Sequence, residues 1–133
     1  MAGPLRDRPV AVGPSPLAGR GLFTTRPVAR GEVLDVAPVL IVPARQRRHL
    51  DRTDLGGHYW DWDGDAAVAM GLISFTNHGR PANARWERDD DALTMTLVAD
   101  QDLPAGVEVL ADYLADADDE DQLWFEPVEG TDP

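Results

Sequence analysis

Residues 75–83 read FTNHGRPAN, an Asn-His pair followed closely by a proline and a second asparagine. Two further stretches flank it along the chain, AGRGLF at residues 18–23 and GVEVLADY at residues 106–113. Each stretch alone is typical of an ordinary turn or of the start of a strand, because Gly, Asn and Pro are common where a chain reverses. Their order, from residue 18 to residue 113, is therefore more informative than any one of them.

Length and composition predict one globular domain. The chain has 133 residues, of which 43% are hydrophobic, and it contains four Trp and no Cys. The lack of Cys excludes disulfides and thiolate-rich zinc sites. No apolar run approaches the length of a membrane span, and the first residues lack the apolar core of a signal peptide. We therefore expect a cytoplasmic protein with no membrane partner.

Charge narrows the choice of partners. The formal net charge is -12, and all twelve basic residues are Arg. This balance argues against nucleic acid, whose phosphates need a basic surface. It favours a basic protein or peptide, which the field of the chain would attract from a distance. The alternative is that the acidic surface only keeps the protein soluble.

The pattern of apolar segments predicts a mainly β fold with several short strands and few short helices. Glycine and proline interrupt the chain too often for long helices. Strands are predicted at residues 9–12, 32–36, 39–42, 93–98 and 108–110, and helices at residues 44–50 and around 66–72. The clearest strand signal is residues 93–97 (LTMTL), which alternate between apolar and polar side chains.

One element recurs in the sequence. Residues 26–34 (RPVARGEVL) and residues 101–110 (QDLPAGVEVL) each pass through a turn glycine, Gly31 or Gly106, into a Glu and apolar residues. Glycine suits such a turn because it adopts a positive φ without steric cost. Two unrelated turns are the simpler alternative.

Together the three stretches resemble the SET domain, a fold of S-adenosylmethionine-dependent protein lysine methyltransferases. The family's loop motif reads Asn-His-x-x-x-Pro-Asn. In this chain Asn77, His78 and Asn83 agree with it, whereas Pro81 comes one place early and Ala82 occupies the proline position. The shape of this loop is therefore an open question at the level of sequence.

The last stretch is similar to the family motif Gly-Glu-Glu-Leu-x-x-Asp-Tyr. Glu108, Asp112 and Tyr113 agree with this motif, and Val107 replaces its first Glu. The resemblance implies a β-clip fold with a C-terminal pseudoknot. It divides the chain into an N-terminal arm (1–8), the SET domain (9–115) and an acidic C-terminal segment (116–133) with aromatic residues similar to a post-SET element.

The resemblance implies S-adenosylmethionine as cofactor and a protein lysine as substrate. The main chain of Gly19, Arg20 and Gly21 would meet the methionine end of the cofactor. Asn77 would hydrogen-bond the same end, and the main chain of His78 would receive the adenine.

Aromatic residues complete the implied site. Tyr113 corresponds to the catalytic tyrosine beside the transferred methyl group, and Trp124 resembles an aromatic that stacks on adenine. Trp86, Tyr59 and Phe125 would line a channel for the substrate lysine. Ordinary core packing is the alternative for each of these aromatic residues.

Other readings of the chain stay open. A SET-like module that binds a partner without methyl transfer is the main alternative, and some other β-rich enzyme is a third. His49, His58 and His78 show no spacing typical of a metal site, and neither Ser15 nor Ser74 lies in a recognisable nucleophile motif. The sequence identifies neither the particular substrate nor the oligomeric state.

Overall fold

The computed structural model describes residues 8–17 and 19–112. Nine strands lie in this part of the chain, together with one short α-helix and three 3₁₀ turns. The strands are β1 (Val10–Pro14), β2 (Arg20–Thr24), β3 (Val33–Val42), β4 (Tyr59–Trp62), β5 (Asp65–Ala69), β6 (Asn77–His78), β7 (Ala84–Asp89), β8 (Thr94–Ala99) and β9 (Glu108–Ala111). The helix is α1 (Arg47–Leu50), and the 3₁₀ turns are Ala44–Gln46, Asp54–Gly57 and Leu72–Phe75.

The strands form one sheet in the order β1-β2-β9-β7-β8-β3-β5-β4, with β6 pairing to β9 beside this path. Most neighbouring strands are antiparallel, but β9 runs parallel to both β6 and β7. The mainly β architecture agrees with the prediction. Strands β1, β8 and β9 fall within two residues of the predicted strands 9–12, 93–98 and 108–110.

The predicted strands 32–36 and 39–42 form one continuous strand, β3. Its first half pairs with β8 as far as Pro38, and its second half pairs with β5 from Val39 onward. Pro38 has no N–H to donate, and it lies where the strand changes partners. The proline therefore interrupts neither ladder.

The predicted helix around residues 66–72 is wrong, whereas the predicted helix at 44–50 is present as a 3₁₀ turn followed by α1. The run Ala66-Ala67-Val68-Ala69 lies in β5 between β3 and β4, with every side chain at most 8% exposed. Alanine favours helix in isolation. Here its small side chain fits a strand that is covered on both faces, so the tertiary packing overrides the local preference.

The recurring element of the sequence corresponds to two equivalent turns that pair with each other. Gly31 and Gly106 both have positive φ, 86° and 80°. Val28 and Leu103, each three residues before its glycine, form an antiparallel bridge with two hydrogen bonds of 2.9 Å. The two segments are therefore related by an approximate twofold axis.

The same symmetry extends into the strands on either side. Thr24, at the end of β2, donates to the carbonyl of Val107 at 2.9 Å and accepts from Gly106. Ala99, at the end of β8, likewise donates to the carbonyl of Glu32 at 3.0 Å and accepts from Gly31. The strand that follows each turn therefore pairs with the strand that precedes the other turn. For this reason β9 lies next to β2.

The core of the sheet is mainly apolar but contains one completely buried carboxylate. Leu22, Leu34, Ile73, Leu97 and Val109 are completely buried at its centre. Asp35, on β3, is also completely buried.

The carboxylate of Asp35 has two partners. It accepts from the Nε of Arg8 at 2.6 Å and from the backbone N–H of Ile73 at 2.9 Å. The second bond attaches the 3₁₀ turn Leu72–Phe75 to β3, directly before the Asn-His pair. Asp35 therefore helps to set the position of that pair.

We expect Asp35→Asn to lower the free energy of unfolding by about 2–3 kcal/mol, because one buried donor would then face another donor. Urea denaturation measures this loss. Asp100→Asn is the matched control, since Asp100 pairs with Arg85 at the surface and its substitution should cost less than about 1 kcal/mol. Equal losses in the two variants would contradict the role given to Asp35.

Candidate functional site

The loop that follows the Asn-His pair is hydrogen-bonded to β9 at both ends of the loop. At the first end, Asn77 and His78 form β6 and lie beside Leu110 and Ala111 in parallel register. The N–H of Gly79 donates to the carbonyl of Ala111 at 3.1 Å. A Cβ on Gly79 would lie 2.7 Å from a methyl carbon of Leu110, so only glycine allows this close approach.

At its other end, the loop is joined to β9 by Asn83. The side-chain amide of Asn83 donates to the carbonyl of Glu108 at 2.9 Å and accepts from the N–H of Leu110 at 2.8 Å. Its own N–H donates to the carbonyl of Leu110 at 3.0 Å. Asn83 thus bonds β9 as a neighbouring strand would, and the loop closes with Pro81 and Ala82 in its middle.

Asn77 points its amide into a cluster of polar groups below the Gly19–Gly21 turn. Its Nδ2 donates to the carboxylate of Glu108 at 2.8 Å and to the carbonyl of Arg20 at 3.2 Å. The hydroxyl of Ser15 donates to the same carboxylate at 2.9 Å. These bonds determine which way the amide of Asn77 faces.

Gly21 is glycine because Glu108 lies against it. A Cβ at this position would lie 2.2 Å from Oε2 of Glu108 and 3.0 Å from Nδ2 of Asn77. Gly19 differs, since it has a φ of 47° and a Cβ there would meet no atom of the described residues within 4 Å. One glycine of the turn therefore admits the Glu108 carboxylate, and a side chain on the other would contact none of the described residues at its Cβ.

His78 lies beside the end of β9. Its side chain is 6% exposed, and its Nδ1 lies 3.9 Å from the carboxylate of Asp112. Asp112 also pairs with Arg80 of the same loop at 3.0 Å. Asp112 is the last of the described residues, so Tyr113, Trp124 and Phe125 lie outside them.

An open cleft of about 460 Å³ lies beside the glycine turn. Arg20 belongs to both features, and its guanidinium lies 4.8 Å above the ring of Phe75. The rest of the lining is mainly apolar and includes Leu55 and residues 68–71. Asp54, His58 and Ser74 contribute its polar groups. Its size is within the range of pockets that hold a cofactor or a small ligand.

His58 has a defined orientation in this cleft. Its Nδ1 lies 3.1 Å from the carbonyl of Ser74. A carbonyl only accepts, so Nδ1 carries the hydrogen and Nε2 of the neutral ring is an acceptor. His58 is exposed and belongs to the cleft rather than to the core.

Two of the residues predicted to line a substrate channel, Trp86 and Tyr59, lie in the described part of the chain, and their surroundings differ. Trp86, on β7, packs edge to face with Trp60, with ring centroids 5.1 Å apart. Tyr59 is 2% exposed, and its hydroxyl donates to Asp51 at 2.7 Å. Burial, together with the bond to Asp51, raises the pKa of Tyr59. Neither lines the cleft, and their role in a substrate channel stays a prediction.

Several residues of the site were not predicted from the sequence. The sequence places Glu108 in a motif but does not predict its bond to Asn77, and Ser15 lies in no recognisable nucleophile motif. Phe75 opens the stretch at residues 75–83 without a predicted role, and His58 belongs to no recognised pattern of spacing. Among residues 8–17 and 19–112, no three His, Asp or Glu side chains converge as metal ligands would.

Comparisons with known proteins agree with this geometry. The sequence model of the SET domain matches residues 19–114 of the chain, which is well over half of its length. The chain therefore belongs to the SET domain family, whose members are generally methyltransferases. No curated protein matches the chain.

A solved structure shows the same fold. It is the crystal structure of a candidate histone methyltransferase from Plasmodium falciparum, with a TM-score of 0.69 and 18% sequence identity. The match covers 90% of this chain and 99% of that chain. Within the described part of this protein, no helix is long and apolar enough to cross a membrane.

We expect Gly21→Ala to lower the free energy of unfolding by about 2 kcal/mol, because the new methyl group would displace the carboxylate of Glu108. Thermal and urea denaturation measure the loss. Gly13→Ala is the matched control in β1, where a Cβ would meet only the ring of Phe23 at 3.4 Å. Equal stability of Gly21→Ala and Gly13→Ala would contradict the close contact between Gly21 and Glu108.

Proposed function

We propose that this protein is an S-adenosylmethionine-dependent protein lysine N-methyltransferase. The observation that carries the proposal is the convergence of Asn77 and Glu108 on the Gly19–Gly21 turn, whose Arg20 lines an open cleft. Three sequence motifs far apart in the chain contribute to this one place. Membership of the SET domain family supports the same reaction class.

The described residues fit the cofactor in size and in chemistry. The backbone of Gly19 and the amide of Asn77 would hold its methionine end, and the main chain of His78 would receive the adenine. Arg20 supplies a positive charge in the cleft, which suits a carboxylate. The apolar lining contributed by Phe75 and its neighbours suits the remainder of the molecule.

Glu108 is important to this fit although it need not touch the cofactor. Asn77 donates through Nδ2 to Glu108 and to the carbonyl of Arg20, so the amide cannot rotate without breaking both bonds. The orientation of its carbonyl oxygen is therefore set in advance, and no ordering of this side chain is left for the binding step.

The reaction requires a neutral lysine amine. At pH 7 the deprotonation of a free lysine costs about 4–5 kcal/mol, given its ordinary pKa near 10.4. When bound, S-adenosylmethionine supplies an electrophilic methyl group on a sulfonium. The lysine nitrogen would form its new bond to that carbon as the carbon–sulfur bond breaks, and the amine proton would leave to solvent.

Aromatic residues would aim the lysine. A channel with walls from Trp86, Tyr59 and Phe125 would exclude water and disfavour the ammonium form. The hydroxyl of Tyr113 would make weak contacts to the methyl hydrogens. Tyr113 directly follows Asp112, whose carboxylate lies beside His78.

The substrate is then a protein or a peptide. The net charge of -12 favours a basic target in the cytoplasm and disfavours nucleic acid. The alternative function is a partner-binding module without methyl transfer. Its support is the departure of Ala82 and Val107 from the family motifs.

Cofactor binding and turnover test this proposal together. Calorimetric titration with S-adenosylmethionine should show saturable binding, weakened at least about tenfold by Asn77→Ala, because a hydrogen bond to a charged group is lost. Gln46→Ala removes an exposed side-chain amide elsewhere and should bind normally. Tyr113→Phe should also bind normally but lose most transfer of labelled methyl groups to basic proteins.

Two outcomes would contradict the proposal. Absence of binding at millimolar cofactor would favour the partner-binding module. Full turnover in Tyr113→Phe would remove the catalytic role given to that tyrosine.

A further inference from the structure

The segment between β3 and β4 carries four arginines at positions 45, 47, 48 and 52. Arg47 points inward, where it bonds Asp61 and the carbonyl of Gly64 at 2.9 Å and lies over the ring of Tyr59. Arg45, Arg48, His49 and Arg52 are exposed. We call these four residues the arginine face.

Within the described part of the chain, the arginines of this face have no acidic partner, unlike most other arginines. In the described part of the chain, six other exposed or half-buried arginines pair with carboxylates, namely Arg8, Arg26, Arg47, Arg80, Arg85 and Arg88. No carboxylate of residues 8–17 or 19–112 lies within ion-pair distance of Arg45, Arg48 or Arg52. In a chain with twice as many acidic as basic residues, this separation is unexpected.

Helical geometry places the arginine face on one side. Positions 45, 48 and 52 are three and four residues apart, in the 3₁₀ turn, in α1 and in the hydrogen-bonded turn that directly follows α1, so their side chains point in similar directions. Arg47 and Leu50 lie on the opposite side, and Leu50 packs against the cluster that contains Tyr59. At 1.5 Å of rise per residue, the face spans roughly 10 Å.

Among the described residues this arrangement is electrostatically unfavourable. Like charges three or four residues apart on a helix repel each other. The nearest acidic residue in sequence, Asp51, already accepts from the hydroxyl of Tyr59 at 2.7 Å. A bound anion would relieve the repulsion, and guanidinium groups bind carboxylates with two parallel hydrogen bonds.

Acidic residues border the arginine face at both ends and limit the length of what it can bind. Asp65 accepts from the N–H of Ala44, at the start of the segment, at 2.8 Å. Asp54 begins the 3₁₀ turn that follows the segment. A long polyanion such as nucleic acid would run past these carboxylates and be repelled by them. A short run of carboxylates would not.

We propose that the arginine face is a docking surface for a short acidic segment of a partner protein. This contact goes beyond methyl transfer and needs no cofactor. The surface also lies close to the cleft. Gly56 packs so tightly on the end of α1 that a Cβ there would lie 3.1 Å from the Cα of Asp51, and the adjacent Asp54 and Leu55 line the cleft. A partner docked on the face would be held beside the cleft.

Fluorescence anisotropy with the full chain tests this proposal directly. The probe is a labelled peptide with six consecutive glutamates, used at low salt and without cofactor. We expect saturable binding that weakens as salt is added. The triple variant Arg45→Gln, Arg48→Gln, Arg52→Gln should bind at least about tenfold more weakly, since charge-assisted bonds are lost.

A second triple variant is the matched control. Arg26→Gln, Arg85→Gln, Arg88→Gln changes the net charge by the same amount but removes arginines that already have acidic partners. It should bind the peptide within about twofold of the unsubstituted chain, because only long-range electrostatics change. Equal losses in the two triple variants would overturn the proposal, since net charge alone would then explain binding.

Other occupants of the face give different results. Tighter binding of a thymidine oligonucleotide than of the peptide would overturn the proposal in favour of nucleic acid. Binding only after Asp116, Asp118, Asp119 and Asp121 are changed to Asn would overturn it in favour of the chain's own acidic segment. Asn77→Ala should bind the peptide normally, so failure of the methyl-transfer proposal would leave this one intact.

Discussion

The position of β9 between β2 and the loop of residues 77–84 is the constraint on which the site depends. The paired turns at Gly31 and Gly106 deliver β9 beside β2, and the loop bonds it at both ends through Gly79 and Asn83. Because β9 carries Glu108, this placement brings its carboxylate under the glycine turn. Three segments far apart in sequence therefore meet at one strand of four residues.

Glu108 connects that topology to chemistry. Its carboxylate lies against Gly21 and accepts hydrogen bonds from Ser15 and Asn77, so it connects the start of the chain to the middle. The cofactor-binding role proposed for Asn77 rests on a side chain that is already oriented in the protein alone. Asp35 has a similar role in the preceding segment, since it accepts a hydrogen bond from the 3₁₀ turn that leads into Asn77.

The sequence predicted the fold class and the motif residues because these depend on local requirements. The residue type is limited at three positions, at Gly31 and Gly106 by their positive φ and at Asn83 by its bonds to β9. The helix around 66–72 was predicted wrongly because burial between two strands outweighed alanine's preference. The contact of Glu108 with Gly21 could not be predicted, since it joins positions 87 residues apart with no local pattern. The net charge did not indicate the arginine face, because it is a sum over the whole chain.

The most direct test of the central claim is the nuclear magnetic resonance spectrum of the side-chain amides during titration with S-adenosylmethionine. The chain contains only two asparagines, Asn77 and Asn83, so their signals can be assigned by substitution. The account predicts a large, saturable shift of the Asn77 amide and a much smaller shift of the Asn83 amide, which is bonded within the loop. An unchanged Asn77 signal at saturating cofactor would contradict the placement of the cofactor beside the Gly19–Gly21 turn.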